Sequence, residues 1–484
     1  MINFKVVGYI LGVLLIIEAF FMLLSVSVSL MYGEPDYKYL LFSSFIALAI
    51  GLLLFFIFKT SDKNLGKREG YIIVSLGWIV FSIFGAIPFY ISRAIPSYTD
   101  AFFETMSGFT TTGASILRPE DYNLISHGLM FWRSLIQWLG GMGIIVLSLS
   151  ILPILGIGGM QLFIAEVPGP APDKLHPRIK ETAKRLWGIY FIFTLTEMLL
   201  LRLGGMSFFD AICHSFTTMA TGGYSTNPNS ISYFSSPYIQ YVIIVFMFLA
   251  GTNFTLSYLA MHFKLKQVIN NEEFRFYLFF IFLFSVIITF ILRFTSNQSI
   301  ESSFRHALFQ VVSILTTTGY TTTNYLKWVP IGITLIFLLM FFGGSAGSTG
   351  GSIKIVRVVL LLKNSILELK RLVHPSAVIP VRLNSQAVSS QIVTNVLAFV
   401  SFYILTVMIS TGVISAMGYD LESSLGAVAA TLGNIGPGIG AVGPVENYAH
   451  IPVLGKWFLS FLMLIGRLEL FTVLILFAPS FWKK

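Results

Sequence analysis

The chain has 484 residues, of which 55% are hydrophobic and only 11% are charged, with a mean hydropathy of +0.80. Soluble domains carry about a quarter charged residues, so this composition excludes a soluble globular protein and predicts a membrane protein. The net charge of +9 does not indicate nucleic-acid binding, because the basic residues lie in connections between apolar runs, where membrane topology explains them. The single cysteine, Cys213, excludes an internal disulfide framework and a cysteine-based metal site.

Ten apolar runs are long enough to cross a bilayer, which takes about 20 residues. They lie near 3–31, 38–58, 70–92, 125–152, 184–203, 237–262, 274–295, 329–360, 391–416 and 453–478. Four shorter segments cannot cross and return, and they lie near 98–110, 207–220, 301–316 and 420–432. We expect these four to be re-entrant helices, surrounded at membrane depth by protein or by a water-filled cavity.

The charged connections predict how the chain is oriented in the membrane. Lysine and arginine concentrate in every second connection and at the C-terminus, in the stretches 59–68, 174–185, 264–266, 363–382 and 483–484. The positive-inside rule makes this side cytoplasmic. Both termini are then expected to be cytoplasmic, and all four re-entrant segments enter from the outer side.

Each re-entrant segment runs into a short stretch rich in threonine and glycine. The stretches are Thr110-Thr111-Thr112-Gly113, Met219-Ala220-Thr221-Gly222, Thr316-Thr317-Thr318-Gly319 and Gly433-Asn434-Ile435-Gly436. Their last glycines are 109, 97 and 117 residues apart. Four repeats of this size in one orientation predict a single pore with four-fold pseudosymmetry.

The predicted fold class is an all-α polytopic membrane protein with about ten transmembrane helices and four re-entrant pore helices. An N-terminal two-helix hairpin (1–69) precedes four pseudo-symmetric repeats of span, pore helix and span around one pore. The repeats are expected at 70–155, 156–265, 266–375 and 376–484, and the third has a broken second helix.

The threonine- and glycine-rich stretches suit the binding of a dehydrated alkali cation. Backbone carbonyls replace the water around such an ion, and glycine allows the backbone angles that turn carbonyls toward an axis. We therefore expect cation ligands among the carbonyls of Thr111, Thr112, Gly113, Ala220, Thr221, Gly222, Thr317, Thr318, Gly319, Asn434, Ile435 and Gly436. The fourth repeat lacks the threonine hydroxyls, so its carbonyls must suffice.

Acidic residues lie near the start of each re-entrant segment: Asp100 and Glu104, Asp210, Glu301, and Asp420 with Glu422. One interpretation is stabilisation of helix N-termini. Another, compatible with the first, is an outer acidic collar that concentrates cations. Arg133 and Gln137 in the fourth span are interpreted as packing between helices rather than lining an outer vestibule.

A run of small residues interrupts the eighth span, and an interior glycine costs a helix about 1 kcal/mol relative to alanine. We expect a flexible loop across the pore that acts as a gate, formed by Gly343, Gly344, Ser345, Ala346, Gly347, Ser348, Thr349, Gly350 and Gly351. A close-packed helix interface is an alternative. A phosphate-binding loop is a weaker one, because the run lacks the required lysine spacing.

Arg467 lies in the middle of the tenth span, where an arginine usually faces a cavity or a partner. The functional hypothesis is a positive charge at a constriction below the ring of carbonyls, acting with the loop as a gate. The alternative is a structural ion pair, for example with Glu469.

The motifs T-T-T-G-A-S at 110–115, M-A-T-G-G-Y-S at 219–225, T-T-T-G-Y-T-T at 316–322 and L-G-N-I-G-P-G at 432–438 resemble those of the Trk/Ktr/HKT superfamily of potassium transporters. The resemblance covers nearly the whole chain, and the N-terminal hairpin makes it similar to the TrkH/TrkG type. It implies residence in the bacterial inner membrane, a homodimer with one pore per subunit, and a cytosolic nucleotide-binding regulatory ring of the TrkA type. It also implies a gating loop and an arginine at the positions described above.

Together these observations predict potassium uptake through a selective channel-like pore, with potassium as the transported ion and no other cofactor. No stretch reads T-V-G-Y-G, so we expect fewer coordination sites than in a tetrameric potassium channel, and some passage of rubidium or sodium. The alternative is a proton- or sodium-coupled secondary cation symporter, although such folds usually show inverted repeats. An enzyme is not expected, because the spans lack titratable groups with catalytic spacing.

Overall fold

The computed structural model describes residues 2–60, 66–141, 143, 179–296, 299–374 and 379–483. The end of the expected span 125–152 and most of the cytoplasmic connection 153–183 lie outside these residues. Within them the chain is almost entirely helical, and strands Arg382–Leu383 and Gln386–Ala387 form a short antiparallel hairpin. This hairpin lies in the connection that the basic residues predict to be cytoplasmic.

The N-terminal hairpin consists of helices Phe4–Met31 and Tyr37–Ile57. The Asn3 side chain accepts a hydrogen bond from the Val6 N–H at the start of the first helix. The two helices cross closely at a pair of glycines: a Cβ on Gly12 would lie 2.8 Å from the carbonyl oxygen of Gly51. Small residues allow this close approach between helices in a membrane.

Four repeats follow, each with a first helix, a short pore helix and a second helix. The first helices are Lys67–Gly85 with Ile87–Ile91, Ile179–Leu203, Glu272–Thr295 and Ser390–Ser415. The pore helices are Tyr98–Phe109, Phe208–Met219, Ile300–Leu315 and Leu421–Leu432. The second helices are His127–Gly141, Pro237–Ala250 with Phe254–Met261, Pro330–Leu339 with Ile355–Val373, and Val453–Arg467 with Phe471–Leu474.

The remaining regular segments are short. They are helices Leu265–Ile269 and Pro479–Trp482, and 3-10 turns at Asp121–Asn123, Ser230–Tyr233, Tyr325–Lys327, Gly440–Val442 and Ile475–Phe477.

All four pore helices begin in the same way. The side chain of the residue before each helix, Ser97, Ser207, Ser299 or Asp420, accepts a hydrogen bond from a backbone N–H three residues later. Such N-caps satisfy otherwise free donors of the first turn. With 12 to 16 residues, each helix is shorter than the roughly 20 residues needed to cross a bilayer, as expected for a re-entrant element.

In the part of the chain that the structure describes, six helices are long and apolar enough to cross a membrane, or eight if each of two bent pairs counts as one span. The predicted figure of ten is not confirmed, for two reasons. The fourth expected span continues outside the described residues, and the eighth is interrupted between Leu339 and Ile355. The all-α polytopic class is confirmed, and the predicted bounds of the four repeats stay a prediction.

The second helices bend or break, which the sequence indicated only for the third repeat. Pro237–Ala250 and Phe254–Met261 meet at 109°, and Val453–Arg467 and Phe471–Phe477 meet at 111°. The helix of the first repeat ends at Gly141, and Gly143 has a φ of 67°. The second helices of the second, third and fourth repeats are therefore interrupted.

Two large clusters of buried apolar side chains hold the repeats together. One joins the N-terminal hairpin to the first and fourth repeats, and the other lies mainly between the second and third. Large apolar side chains such as Phe279, Phe282 and Phe290 remain exposed on the helix Glu272–Thr295. Exposed apolar surface of this kind suits contact with lipid.

Replacement of Gly12 by alanine is expected to lower the melting temperature of the purified protein in detergent. The new methyl group would meet the backbone of the second helix, with Phe55 N at 2.7 Å, and overpacking of this kind costs about 1–3 kcal/mol. Gly188→Ala is the matched control, because no atom lies within 4 Å of its added Cβ. Equal melting temperatures for the two variants would contradict the packing argument.

Candidate ion pore and gate

The pore helices all end in the same backbone conformation. The second residue after each helix has a left-handed φ: 54° at Thr111, 53° at Thr221, 60° at Thr317 and 53° at Asn434. The N–H of the following residue returns to a helix carbonyl, as in the bond of 2.8 Å from Thr112 N to Ser107 O. This resembles the helix ending that usually uses glycine. For other residues the left-handed conformation costs about 1–2 kcal/mol, so the turns are strained in all four repeats.

Two residues further on, a glycine with a left-handed φ ends each stretch. These glycines are Gly113, Gly223, Gly319 and Gly436, with φ of 79°, 74°, 80° and 99°. We call the four stretches 110–113, 220–223, 316–319 and 433–436 the ring segments.

The ring segments touch one another in chain order. A Cβ on Gly113 would overlap the carbonyl oxygen of Gly222, one on Gly223 that of Thr318, and one on Gly319 that of Ile435. The circuit closes because a Cβ on Gly436 would lie 2.8 Å from the carbonyl oxygen of Thr112. Four successive repeats thus form a closed ring in which each glycine lies against a carbonyl of the next segment.

The ring corrects the alignment of the second segment. The spacing predicts Gly222 as the equivalent of Gly113, whereas the glycine with a left-handed φ in this segment is Gly223. Gly222 instead corresponds to Thr112, Thr318 and Ile435, whose N–H groups make the same bond back to the helix. Adjacent glycines in the sequence do not reveal which one has the positive φ.

Asn434 joins the fourth ring segment to the first. Its Nδ2 donates to Thr112 Oγ1 at 2.9 Å and to the carbonyl oxygen of Met463 at 2.9 Å. The amide side chain therefore bridges two ring segments and the last second helix. In the first segment, the hydroxyls of Thr110 and Thr112 lie 2.8 Å apart.

Glycines of the second helices press against the ends of the pore helices. A Cβ on Gly140 would overlap the carbonyl oxygen of Phe109, and one on Gly466 would overlap that of Leu432. Since Phe109 and Leu432 both end pore helices, Gly140 and Gly466 occupy equivalent positions. Arg467 therefore stands at the position that Gly141 occupies in the first repeat.

A buried ion pair supports the outer flank of the ring. Arg133 Nε donates to Glu104 Oε1 at 2.7 Å, with the two side chains 1% and 0% exposed. The guanidinium also donates to the Ser225 carbonyl at 3.1 Å and lies 3.6 Å from the centre of the Tyr224 ring. The pair thus fastens the first repeat to the second.

Gln137, in the second helix of the first repeat, also supports the ring. Its Nε2 donates to the Gly222 carbonyl at 2.8 Å, and its Oε1 accepts from Tyr224 N at 3.1 Å. These contacts agree with the interpretation of Gln137 as a packing residue, and Arg133 both packs between the repeats and borders the cleft at the ring.

A cleft opens on the side of the ring that the predicted topology makes the outer one. All four left-handed glycines line it, together with Arg133 and Glu446. The cleft therefore has the position expected of a pore mouth.

The acidic residues at the pore-helix starts make local contacts. Asp100 pairs with Lys456 at 2.5 Å, Glu301 pairs with Arg305 at 2.9 Å, and Asp420 caps its helix. Among the described residues, no group of three or more His, Cys, Asp or Glu side chains could hold a metal ion. Asp420 therefore stabilises a helix N-terminus, Asp100 and Glu301 are held in ion pairs, and an outer acidic collar stays a prediction.

The segment 340–354, which we call the glycine loop, lies directly against the ring. Gly351 N donates to Thr317 Oγ1 at 2.7 Å. A Cβ on Gly350 would lie 2.9 Å from the Thr316 carbonyl oxygen. The backbone of the loop is therefore in direct contact with the third ring segment.

The glycine loop also fills the break in the second helix of the second repeat. Ser345 N donates to the Gly251 carbonyl at 2.9 Å, and Phe254 N donates to the Gly347 carbonyl at 3.1 Å. The loop thus satisfies backbone groups that the break exposes, as irregular backbone at membrane depth requires.

Arg467 connects the loop to the first repeat. Its Nη1 donates to the Thr349 carbonyl at 2.8 Å and to Thr111 Oγ1 at 3.1 Å. Its Nη2 donates to the carbonyls of Gly140 and Gly141 at 2.5 and 3.0 Å. The suggested partner Glu469 instead forms an ion pair with Arg357. The guanidinium is thus held by oxygens of the ring, the loop and a helix end.

Residues 40–484 match the family model described as TrkH, a cation transport protein. The chain belongs to this cation transport family. It is therefore a multi-pass membrane protein of a transporter family, and it is not an enzyme.

Proteins of this family match the chain over all or nearly all of its length. The chain is 43% identical to the Trk system potassium uptake protein TrkH of Salmonella typhimurium over 100% of both chains. It is 35% identical to TrkG of Escherichia coli over 99% of both. The crystal structure of the potassium transporter TrkH from Vibrio parahaemolyticus matches with a TM-score of 0.89 and 38% identity, covering 100% of both chains.

The corrected register of the second ring segment can be tested with adjacent alanine substitutions. Gly223→Ala is expected to abolish cation flux into proteoliposomes, because its Cβ would overlap a backbone carbonyl and its φ is 74°. Gly222→Ala is expected to retain measurable flux, because its Cβ meets only the side chain of Gln137 among its nearest atoms. A reversed order of the two effects would contradict the register.

Proposed function

We propose that this protein takes up potassium across the bacterial inner membrane through a selective, channel-like pore formed by the four ring segments. The observation that carries the proposal is the closed ring, in which each left-handed glycine lies against a carbonyl of the next segment. A fixed ring of carbonyls can replace the hydration shell of an alkali cation. The names of the curated relatives, all potassium uptake proteins, support potassium as the ion.

The proposed ligands are backbone carbonyls of the ring, with Gly223 now included. They are contributed by Thr111, Thr112, Gly113, Ala220, Thr221, Gly222, Gly223, Thr317, Thr318, Gly319, Asn434, Ile435 and Gly436. The C-terminal ends of four pore helices converge on the ring segments, and each end carries about half a negative charge that favours a cation. One left-handed glycine per segment provides few coordination sites, so rubidium and some sodium should also pass.

The proposed gate is the glycine loop together with Arg467. The arginine stands where the first repeat has glycine, and it contacts Thr111 of the ring and Thr349 of the loop. Its positive charge opposes the approach of a cation to the underside of the ring. When the loop withdraws, the charge loses its contact with Thr349 and the barrier falls.

The proposals about assembly and regulation rest on the family resemblance and on no contact within the chain. We propose a homodimer with one pore per subunit, both termini cytoplasmic, and a cytosolic nucleotide-binding ring of the TrkA type that moves the loop. The Trk system names of the relatives support a multi-component system.

A proton- or sodium-coupled symporter is the alternative. Glu18 and Glu197 are fully buried, Glu18 has no hydrogen-bond partner among the described residues, and Glu197 lies beside the Thr218 hydroxyl. They lie on separate helices, Phe4–Met31 and Ile179–Leu203. Proton coupling would give such carboxyls a role, so transport must be measured with and without a pH gradient.

The proposed function is tested by flux of potassium, rubidium, sodium and lithium into proteoliposomes at a set membrane voltage. A voltage-driven pore with a carbonyl ring predicts potassium and rubidium above sodium and lithium, with no requirement for a proton or sodium gradient. Equal passage of all four ions would remove the selectivity claim. Uphill potassium accumulation driven by a pH or sodium gradient would favour the symporter.

Replacement of Arg467 by alanine is expected to raise potassium flux about tenfold, the effect of lowering the barrier by about 1.4 kcal/mol. The physical reason is the loss of a positive charge that contacts the ring. Arg467→Lys keeps the charge and serves as the control, with a smaller change expected. Unchanged flux through Arg467→Ala would contradict the role of the arginine in the gate.

A further inference from the structure

Two interrupted second helices meet beneath the glycine loop. The helix Ile355–Val373 begins where the loop ends, and the last second helix breaks between Arg467 and Phe471. Arg357 lies in the first turn of the former, and Glu469 lies in the break of the latter. Arg357 Nη2 donates to Glu469 Oε2, and the two side chains are only 7% and 15% exposed.

The surroundings of this pair favour a fixed geometry. The Arg357 guanidinium lies 3.9 Å from the ring centre of Phe399, on the neighbouring helix Ser390–Ser415. A buried ion pair loses its hydration, so it persists only where the charges meet closely. Separation of the two helices would remove the close partner of each charge.

The backbone at Glu469 is strained. Glu469 and Leu470 have φ of 54° and 56°, two successive non-glycine residues in the left-handed region. The chain turns by 111° at this point. Strained backbone of this kind persists only where its surroundings hold it. The ion pair is a charged contact at the break. It is therefore a candidate for the interaction that keeps Glu469 and Leu470 in their strained conformation.

Both halves of the pair connect to the glycine loop. Arg467, two residues before Glu469, donates to the Thr349 carbonyl at 2.8 Å. Lys354, three residues before Arg357, donates through Nζ to the Gly350 carbonyl. These contacts link residues 349–350 of the glycine loop both to the last second helix and to the helix Ile355–Val373. The ion pair joins those two helices to each other.

We propose that Arg357 and Glu469 form a latch that keeps the glycine loop across the pore. When the pair separates, the strained break is released and the contacts of Arg467 and Lys354 with the loop weaken together. The inference rests on the proposed function of the loop as a gate. It adds a pair of positioning residues that touch neither the ring nor the ion.

The test is potassium flux into proteoliposomes that contain the full chain alone. Arg357→Met and Glu469→Met are each expected to raise flux about tenfold over the parent protein, and so is the double methionine variant. The double variant leaves no charge unpaired, so it remains informative if a single variant fails to fold. The charge exchange Arg357→Glu with Glu469→Arg is expected to return flux toward the parent value.

The control is the ion pair between Lys363 and Glu272, which joins the same helix to Glu272–Thr295 and includes no residue of the glycine loop. Its double methionine variant should leave flux unchanged. Unchanged flux in the folded Arg357/Glu469 double methionine variant would overturn the latch, and so would a charge exchange that stays as active as the single variants. Absence of potassium flux from the parent and every variant would instead overturn the proposed function itself.

Discussion

The architecture depends on one contact that occurs four times, between a left-handed glycine and a carbonyl of the next ring segment. At Gly113, Gly223 and Gly319 any side chain would overlap that carbonyl, so the ring closes only because these residues lack a Cβ. A cation gives up its water only if oxygens are already in position. The strained turns before the glycines are one means of fixing those oxygens, since strain of this kind is retained where the surrounding structure holds it.

The same close packing explains why the second helices break. Gly140 and Gly466 bring their helices against the pore-helix ends. The described part of the first of these helices ends at the next residue, Gly141, and the last second helix bends sharply after Arg467. The glycine loop occupies the space beneath and bonds to the backbone that the second repeat exposes at Gly251. Arg467 then completes the contacts between ring, loop and helix end. Support of the ring and the position of the glycine loop against it are thus parts of one packing arrangement.

Much of this arrangement could be predicted from the sequence, because its signals are local. Hydropathy and acidic residues near helix starts, such as Asp420, indicate spans and pore helices, and basic connections predict an orientation. The register at Gly222 and Gly223 could not be predicted, since φ is not visible in a pair of identical residues. The bends after Ala250 and Arg467 coincide with the polar stretches Gly251-Thr252-Asn253 and Arg467-Leu468-Glu469, which are too short to divide the apolar runs from which spans are predicted. The pairing of Arg357 with Glu469 joins residues 112 apart, and only the fold brings them together.

The central claim is that the four ring segments bind a dehydrated cation through their carbonyls. It is tested most directly by anomalous diffraction from crystals of the protein grown with rubidium in place of potassium. The account predicts an anomalous peak on the axis of the ring, within bonding distance of carbonyls from all four segments, and its loss in Gly223→Ala. A ring without rubidium, in crystals where the ion occupies another site, would contradict the account.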